Sequence, residues 1–269
     1  MPDQRLDHRH ARLAVIGNYV PRRCGIATFT TDLAESLATA APQSEVWAVA
    51  MNDRAEGYPY PGRVHFELGE ECQDDYLLAA EFLNSNGVEV ASLQHEYGIF
   101  GGPAGAHILD LIGRLRMPVV TTLHTVLEEP SPEEQDVTLE IARLSAKLVV
   151  MSRRAIGILR DTYHVPEEKI AFVHHGIPDL PFIDPSFYKE QFDVAGRTVA
   201  ATFGLLSPNK GIEHMVEAMP EIVASHPDLV YLFLGVTHPN IKEHDGERYR
   251  TALLRLAEDL ESLARHYGL

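Results

Sequence analysis

Two glycine-containing segments carry residue types suited to holding a phosphate or a polar sugar. The first is PRRCGIATFTTDL, Pro21–Leu33, and the second is FGLLSPNKGIEHMVEA, Phe203–Ala218. Each follows an apolar run of strand type, RLAVIGN before the first and TVAATFG before the second, and each opens an amphipathic helical pattern. A strand that feeds such a loop and then a helix aims backbone N–H groups without helical partners, and the positive helix end, at one spot. That spot favours an anion or a polar ligand. Two such segments predict two α/β units facing each other over a cleft.

In the first segment Gly25, Thr28 and Thr30 read either as a backbone nest with hydroxyls lining a ligand cleft or as an ordinary strand-to-helix turn with capping threonines. No further glycines follow Gly25 at the offsets of a dinucleotide fingerprint. Cys24 has Thr30, not arginine, six residues on, which excludes a phosphatase-type thiolate loop. In the second segment Gly204 lets backbone approach a ligand, while Asn209 and Lys210 offer an amide and a point charge beside a helix start. A lysine there is disfavoured by the helix dipole unless an anion sits between them. The order GxxxxGK[ST] is absent, since Gly211 follows Lys210, so this is not a Walker loop.

Three more apolar runs end in polar residues. LQHEYGIFGG places His95 and Glu96 at a strand end, followed by Gly101-Gly102, where small residues permit close backbone approach. Ile99 stands where HExxH needs histidine, which argues against a zinc protease. TTLHT places His124 at another strand end, either as a sugar-hydroxyl contact or as a packing residue. In VMSRRA, Ser152 suits a helix N-cap, with a ligand contact as a second use. His174 and His175 are adjacent, so on extended chain they point to opposite sides and cannot form one metal site, and Gly176 suits a turn.

The bulk properties narrow the partners. The formal charge of −16 opposes broad binding to nucleic acid or anionic membranes. With 2 cysteines there is no disulfide framework. The N-terminus lacks a secretory apolar region and no run is long enough to span a membrane, so the reading is a cytoplasmic protein without stable membrane insertion. Peripheral membrane contact is compatible with a lipid acceptor.

The positioning elements follow from periodicity. Continuous apolar runs at 12–18, 45–51, 64–68, 88–94, 119–123, 147–151 and 170–174 read as strands covered on both faces. Helical patterns are expected at 31–40, 74–84, 104–116, 132–146 and 153–164. This alternation predicts an α/β fold with a doubly wound parallel sheet. Residues 181–197 lie within a proline-rich stretch without clean period and are expected as a linker. A second unit follows, with strands at 198–204 and 229–236 and helices at 212–225 and 247–266, about half of a doubly wound domain.

Taken together, the ordered set RLAVIGNYVPRRCGIATFTTDLAESL, LQHEYGIFGG, TTLHT, VVMSRRA, HHGIPD and FGLLSPNKGIEHMVEAMPEI resembles glycosyltransferase family 4, nearest its mannosyltransferase-like branch. The resemblance implies a GT-B fold, with 1–180 as an acceptor-side Rossmann-like domain and 198–269 as part of a donor-binding one. It implies retaining, metal-independent transfer of a hexose from a nucleotide-diphosphate sugar to a hydroxyl of a glycan or lipid-linked acceptor, with no cofactor. His124 is then the catalytic candidate. Gly25, Gly204, Asn209 and Lys210 are donor-binding candidates, and Thr28, His95, Glu96 and Ser152 acceptor or sugar contacts.

Two departures accompany it. The family commonly has Gly-Arg-Leu where this chain has Gly204-Leu205-Leu206, and the family's Glu-x7-Glu motif has no place before Leu269. The chain as given is therefore expected to transfer sugar poorly, and fragment and natural truncation both stay open. The alternatives are a non-catalytic carbohydrate- or phosphate-binding fragment and a two-Rossmann sugar-nucleotide epimerase. Donor base, sugar, acceptor and oligomeric state are not set by the sequence.

Overall fold

A computed structural model describes residues 11–267. It divides into two compact units, one ending at Ile177 and one starting at Pro178. Among the described residues no helix is long and apolar enough to cross a membrane.

The first unit is built on a 7-stranded sheet in the order β3-β2-β1-β4-β5-β6-β7. Its strands are β1 (Arg12–Gly17), β2 (Glu45–Asn52), β3 (Val64–Gly69), β4 (Val90–His95), β5 (Val119–Leu123), β6 (Lys147–Val150) and β7 (Ile170–Phe172). Every pairing is parallel. The chain runs outward from β1 through β2 to β3, then returns to pair β4 on the other side of β1. Ligands in open α/β sheets bind outside the carboxyl ends of strands at such a reversal, here between β1 and β4.

Right-handed crossovers then fix which face each helix covers. The helix α1 (Gly25–Ala40) joins β1 to β2 and lies on one face. On the other lie α2 (Gln73–Ser85), α3 (Ile108–Ile112), α4 (Pro132–Leu144) and α5 (Arg153–Asp161). The core divides the same way. Ala14, Ile16, Val49, Met51, Ala91 and Leu93 pack with the α2–α5 side chains, whereas Val15, Ala48 and Ala50 pack with Ala34 of α1. Strand alternation thus sends neighbouring residues to opposite layers.

Local chemistry sets the helix ends. Ser131 and Glu134 form a reciprocal capping box on α4, with Pro132 in the first turn. The helix α1 starts at Gly25, six residues before the expected Thr31, because the Cys24 thiol caps it and accepts from Ala27 N–H at 3.3 Å. The helix expected over 104–116 is broken. Residues 103–105 form a single 3-10 turn, Ala104 and Gly105 have φ of 51° and 77°, and only Ile108–Ile112 is α-helical. Pro103 and the flanking glycines interrupt the pattern.

The second unit pairs β8 (Thr198–Phe203) with β9 (Leu229–Leu234) in parallel. Around them are α7 (Ile212–Ser225), α8 (Pro239–Asp245) and α9 (Arg248–Tyr267), and Leu206, Ile212, Val216 and Leu253 form the core. The helix α8 has no counterpart in the sequence reading. Residues 181–197, read as linker, contain α6 (Pro185–Gln191), capped by Asp184, and lie in this unit.

Candidate active site

His124 follows β5, beside the reversal point. Its backbone N–H donates to the His95 carbonyl at 3.0 Å. Its Nε2 lies 3.2 Å from Oε1 of Gln94. The Gln94 amide nitrogen donates to Ser92 Oγ at 3.1 Å, and Gln94 is 0% exposed. The Phe29 ring of α1 meets His124 edge-on at 4.7 Å and His175 at 5.1 Å. Burial, with a smaller contribution from His175, lowers the His124 pKa to about 4. The ring is therefore neutral near pH 7 and can exchange hydrogen bonds with a hydroxyl without carrying charge.

A cavity of about 460 Å³ opens on this edge, lined by Leu123, His124, Val126, Ile158, Ser152 and His175. Its volume suits a small ligand, with His124, Ser152 and His175 as polar groups in a mostly apolar lining. Ser152 caps α5, accepting from Arg154 N–H at 3.2 Å, and lines the cavity as well. Glu128 and Arg154 form an ion pair on the rim, both largely exposed.

His95 is 1% exposed, and burial lowers its pKa to about 3. Its ring stacks on Phe100 at 5.9 Å and meets Tyr97 at 5.1 Å. Alternation puts it in the α2–α5 layer, so it is removed from the ligand contacts expected for it. Glu96 is turned inward too. Oε1 accepts from Tyr97 N–H at 3.1 Å and Oε2 from the Thr125 hydroxyl at 2.5 Å. Both carboxylate oxygens are thus engaged by the chain, and Glu96 holds the segment after His124 in place.

In the first loop, Gly25 is exposed at the start of α1, with no heavy atom within 4 Å of where a Cβ would sit. Thr30 is fully buried and donates to the Ile26 carbonyl at 2.7 Å, and the exposed Thr28 hydroxyl reaches its Cys24 carbonyl at 3.5 Å. The two threonines are helix residues that bond back to the preceding turn. Of the two cations of this loop, Arg22 is taken by Asp53 at 3.2 Å, Glu70 at 3.6 Å and the Asn18 side chain at 3.0 Å, while Arg23 is exposed without a side-chain partner among the described residues. The loop offers backbone, small residues and the exposed Arg23 to a ligand, with the Arg22 charge alone neutralised internally.

In the second unit, Asn209 and Lys210 are exposed in a 3-10 turn ahead of α7. The Lys210 ammonium has no hydrogen-bond or ion-pair partner among the described residues. Gly204 has φ of 135°, a conformation that favours glycine, and its carbonyl would lie 1.7 Å from a Cβ on Gly235. Gly204 and Gly235 are thus a close-packed pair, and the sequence reading noticed only the first.

The residues that reading missed are Gln94, Phe29 and Ser92. Alternation was the available signal: in ASLQHE, Ala91, Leu93 and His95 share one face, and Ser92, Gln94 and Glu96 the other. Among the described residues no cluster of three or more His, Cys, Asp or Glu side chains is placed to hold a metal ion.

No curated protein sequence matches this chain. Among solved structures, it is similar to HepE of Anabaena in complex with UDP, at 14% identity and a TM-score of 0.68, covering 93% of this chain and 66% of that one. It is similar to a glycosyltransferase from Rickettsia africae, at 15% identity and a TM-score of 0.64, covering 94% and 66%. A trehalose-phosphate synthase (UDP-forming) from Burkholderia vietnamiensis gives 15% identity and 0.59, covering 94% and 69%. The chain therefore spans about two thirds of the length of these proteins, and at such identity the likeness is one of fold: a GT-B arrangement of one domain and part of another. The sequence profile of Glycosyltransferase Family 4 matches residues 24–179, more than half of the 269. The chain belongs to glycosyltransferase family 4.

Proposed function

We propose that this chain carries the acceptor-side unit and part of the donor-side unit of a glycosyltransferase that moves a hexose from a nucleotide-diphosphate sugar to a hydroxyl, with retention and without a metal ion. The observation that carries the reading is the carboxyl-edge cavity in which a neutral His124 meets Ser152 and His175, within a chain of this family. In such a transfer the barrier lies in separating a charged leaving group from the sugar. Preorganised N–H donors and fixed cations on the diphosphate lower it most. The exposed, unpaired Lys210 ahead of α7 is the group proposed for the diphosphate, with Gly204 and Asn209 as its neighbours. The backbone at Gly25 and the Ser152 hydroxyl are proposed to contact donor and acceptor groups at the first sheet edge. His124 is proposed to face the sugar.

Complexes of HepE with UDP, and with UDP and glucose, support UDP-glucose as the first donor to assay, with GDP-mannose beside it. Because transfer by this chain is expected to be poor, donor binding by calorimetry is measured beside sugar transfer from each to hydroxyl acceptors for the wild type, Lys210→Ala and His124→Ala. The Lys210 variant is expected to lose about 10²–10³-fold in turnover, as for removal of one stabilising charge donor. Unchanged turnover removes Lys210 from the role. Glycan binding by calorimetry, with neither transfer nor donor hydrolysis, makes the chain a binding module instead.

A further inference from the structure

The wall that carries His124 is built from β4 side chains on the α1 face of the sheet. Gln94 sits opposite Thr122 in the β4–β5 register, one residue short of level with the strand end that leads into His124. Its placement is tightly enforced. A Cβ on Gly17 would lie 3.1 Å from the Gln94 Cβ and 3.3 Å from Thr30 Oγ1, so the absence of a side chain at Gly17 makes room for this glutamine. The amide nitrogen lies on Ser92 Oγ, a hydroxyl that can accept or donate, and in this orientation the amide oxygen faces His124 Nε2. With the amide oxygen on that side, Nε2 is the protonated nitrogen, an assignment that nitrogen NMR reads directly. The buried polar atoms without a partner among the described residues belong to Glu70, His95 and His107, not to His124. Nδ1 of His124 makes no hydrogen bond among the described residues and is not one of those buried orphans, so with Nε2 protonated it is a lone-pair acceptor open to a ligand on a ring that lines the cavity.

We propose that Gln94 is a positioning residue, which holds His124 as its Nε2–H tautomer so that Nδ1 accepts a hydrogen bond from a substrate hydroxyl. The inference rests on the reading of His124 as a sugar contact. It sharpens that reading in one respect: a lone pair takes an O–H and repels a phosphate oxygen, so this wall reads a hydroxyl and leaves the diphosphate to other groups. The choice of amide over carboxylate follows. A glutamate at position 94 would draw a second proton onto the ring and turn Nδ1 into a donor. Glutamine fixes the tautomer without charging it, and the Phe29 edge and the His95 carbonyl hold the ring plane and backbone.

The test is imidazole nitrogen NMR of the ¹⁵N-labelled chain near pH 7, together with UDP-glucose binding by calorimetry and sugar transfer. In the wild type, His124 is expected to show a protonated Nε2 and a bare Nδ1. Gln94→Leu is expected to mix the tautomers and weaken UDP-glucose binding or transfer about 3- to 10-fold, the worth of one neutral hydrogen bond. Gln94→Glu is expected to protonate both nitrogens at a pH where the wild type stays neutral, a signature that mere packing damage does not give. A wild-type His124 with its proton on Nδ1 overturns the proposal, whatever the activity and even if no variant folds. A tautomer that ignores Gln94→Leu overturns it as well. If the tautomer follows Gln94 but His124→Ala leaves binding and transfer intact, the sugar-contact reading has failed, and the proposal fails with it by a distinguishable route.

Discussion

β1 and β9 have similar apolar sequences, RLAVIG and LVYLFL, and unequal burial. In β1 the last four residues are fully buried, and in β9 none is. By residue type β9 is the more hydrophobic. The difference lies in what covers each strand: β1 has β2 and β4 on its flanks and packed layers on both faces. Among the described residues β9 has β8 alone as partner, and Tyr231 and Phe233 meet the α7–α9 core while Val230, Leu232 and Leu234 take the opposite face. Parallel strands draw their stability from cover on both faces. Burial is conferred by neighbours, and a strand's own side chains only permit it.

The largest effect that separates the units is a core truncation. Leu111→Ala, at a fully buried position among α2, α3 and α4, is expected to cost the first unit about 2–5 kcal/mol. Leu253→Ala sits in a four-residue core ringed by half-buried side chains that can relax into the gap, and is expected near the lower end, about 2 kcal/mol. Denaturant unfolding, read on both units, measures the pair. Equal costs would break the comparison. Hydrogen exchange sharpens it: amides in Ala200–Thr202 should exchange well before those in Ala14–Ile16.

How much of this was legible in the sequence depends on whether the signal was local. Strand runs such as Val119–Leu123, and the helix Ile212–Ser225, appear at the residues expected, because period and capping are local properties. The break after Gly102 was signalled locally by Pro103 and Gly105, but the longer-range cue outweighed it. Apolar spacing at Ile108, Leu111 and Ile112 suggested continuity, while the turn is set by Gly101, whose Cβ would lie 2.1 Å from the Glu70 carbonyl. That is a contact with the end of a distant strand. His95 and Gln94 teach the same lesson within the site. Residue type favoured the histidine, but the face decided, and the face depends on which layer each side of β4 meets. The tie between Gln94 and His124 crosses two strands that only the sheet order brings together.

The next effect is a pH dependence, smaller per unit of pH and carried by buried histidines of the first unit. Burial holds His95 and His124 neutral, with pKa values lowered to about 3 and about 4. The unfolded chain protonates both near the ordinary value of about 6.5. Above that pH their contribution is fully present. As pH falls below it the unfolded state takes up protons that the folded state refuses, so stability drops toward pH 4 for His124 and toward pH 3 for His95. The slope is up to about 1.4 kcal/mol per pH unit for each group. His95→Phe keeps an apolar ring against Phe100 and removes one of these protons, while His124 and His65, the latter with its pKa also lowered by desolvation, keep theirs. The variant's loss of stability between pH 7 and pH 5 should be clearly smaller than that of the wild type, as read from unfolding curves at the two pH values. An unchanged acid slope would show that His95 is not held neutral by burial.

The smallest expected effect on stability separates the two glycine loops. Gly204 is bound to its conformation by φ of 135° and to its place by Gly235. Gly25 is under neither constraint, since a methyl there meets nothing within 4 Å and the residue is the first of α1. Gly25→Ala should therefore change unfolding free energy by less than about 1 kcal/mol, with helix propensity favouring alanine. Folding does not account for a glycine at this position, so a ligand must, if anything does. An unchanged melting midpoint with UDP-glucose binding weakened tenfold or more would mean that the added methyl collides with the ligand at the start of α1. Unchanged binding would leave Gly25 outside the site, and the first loop would then act only by launching the helix that carries Phe29 to His124.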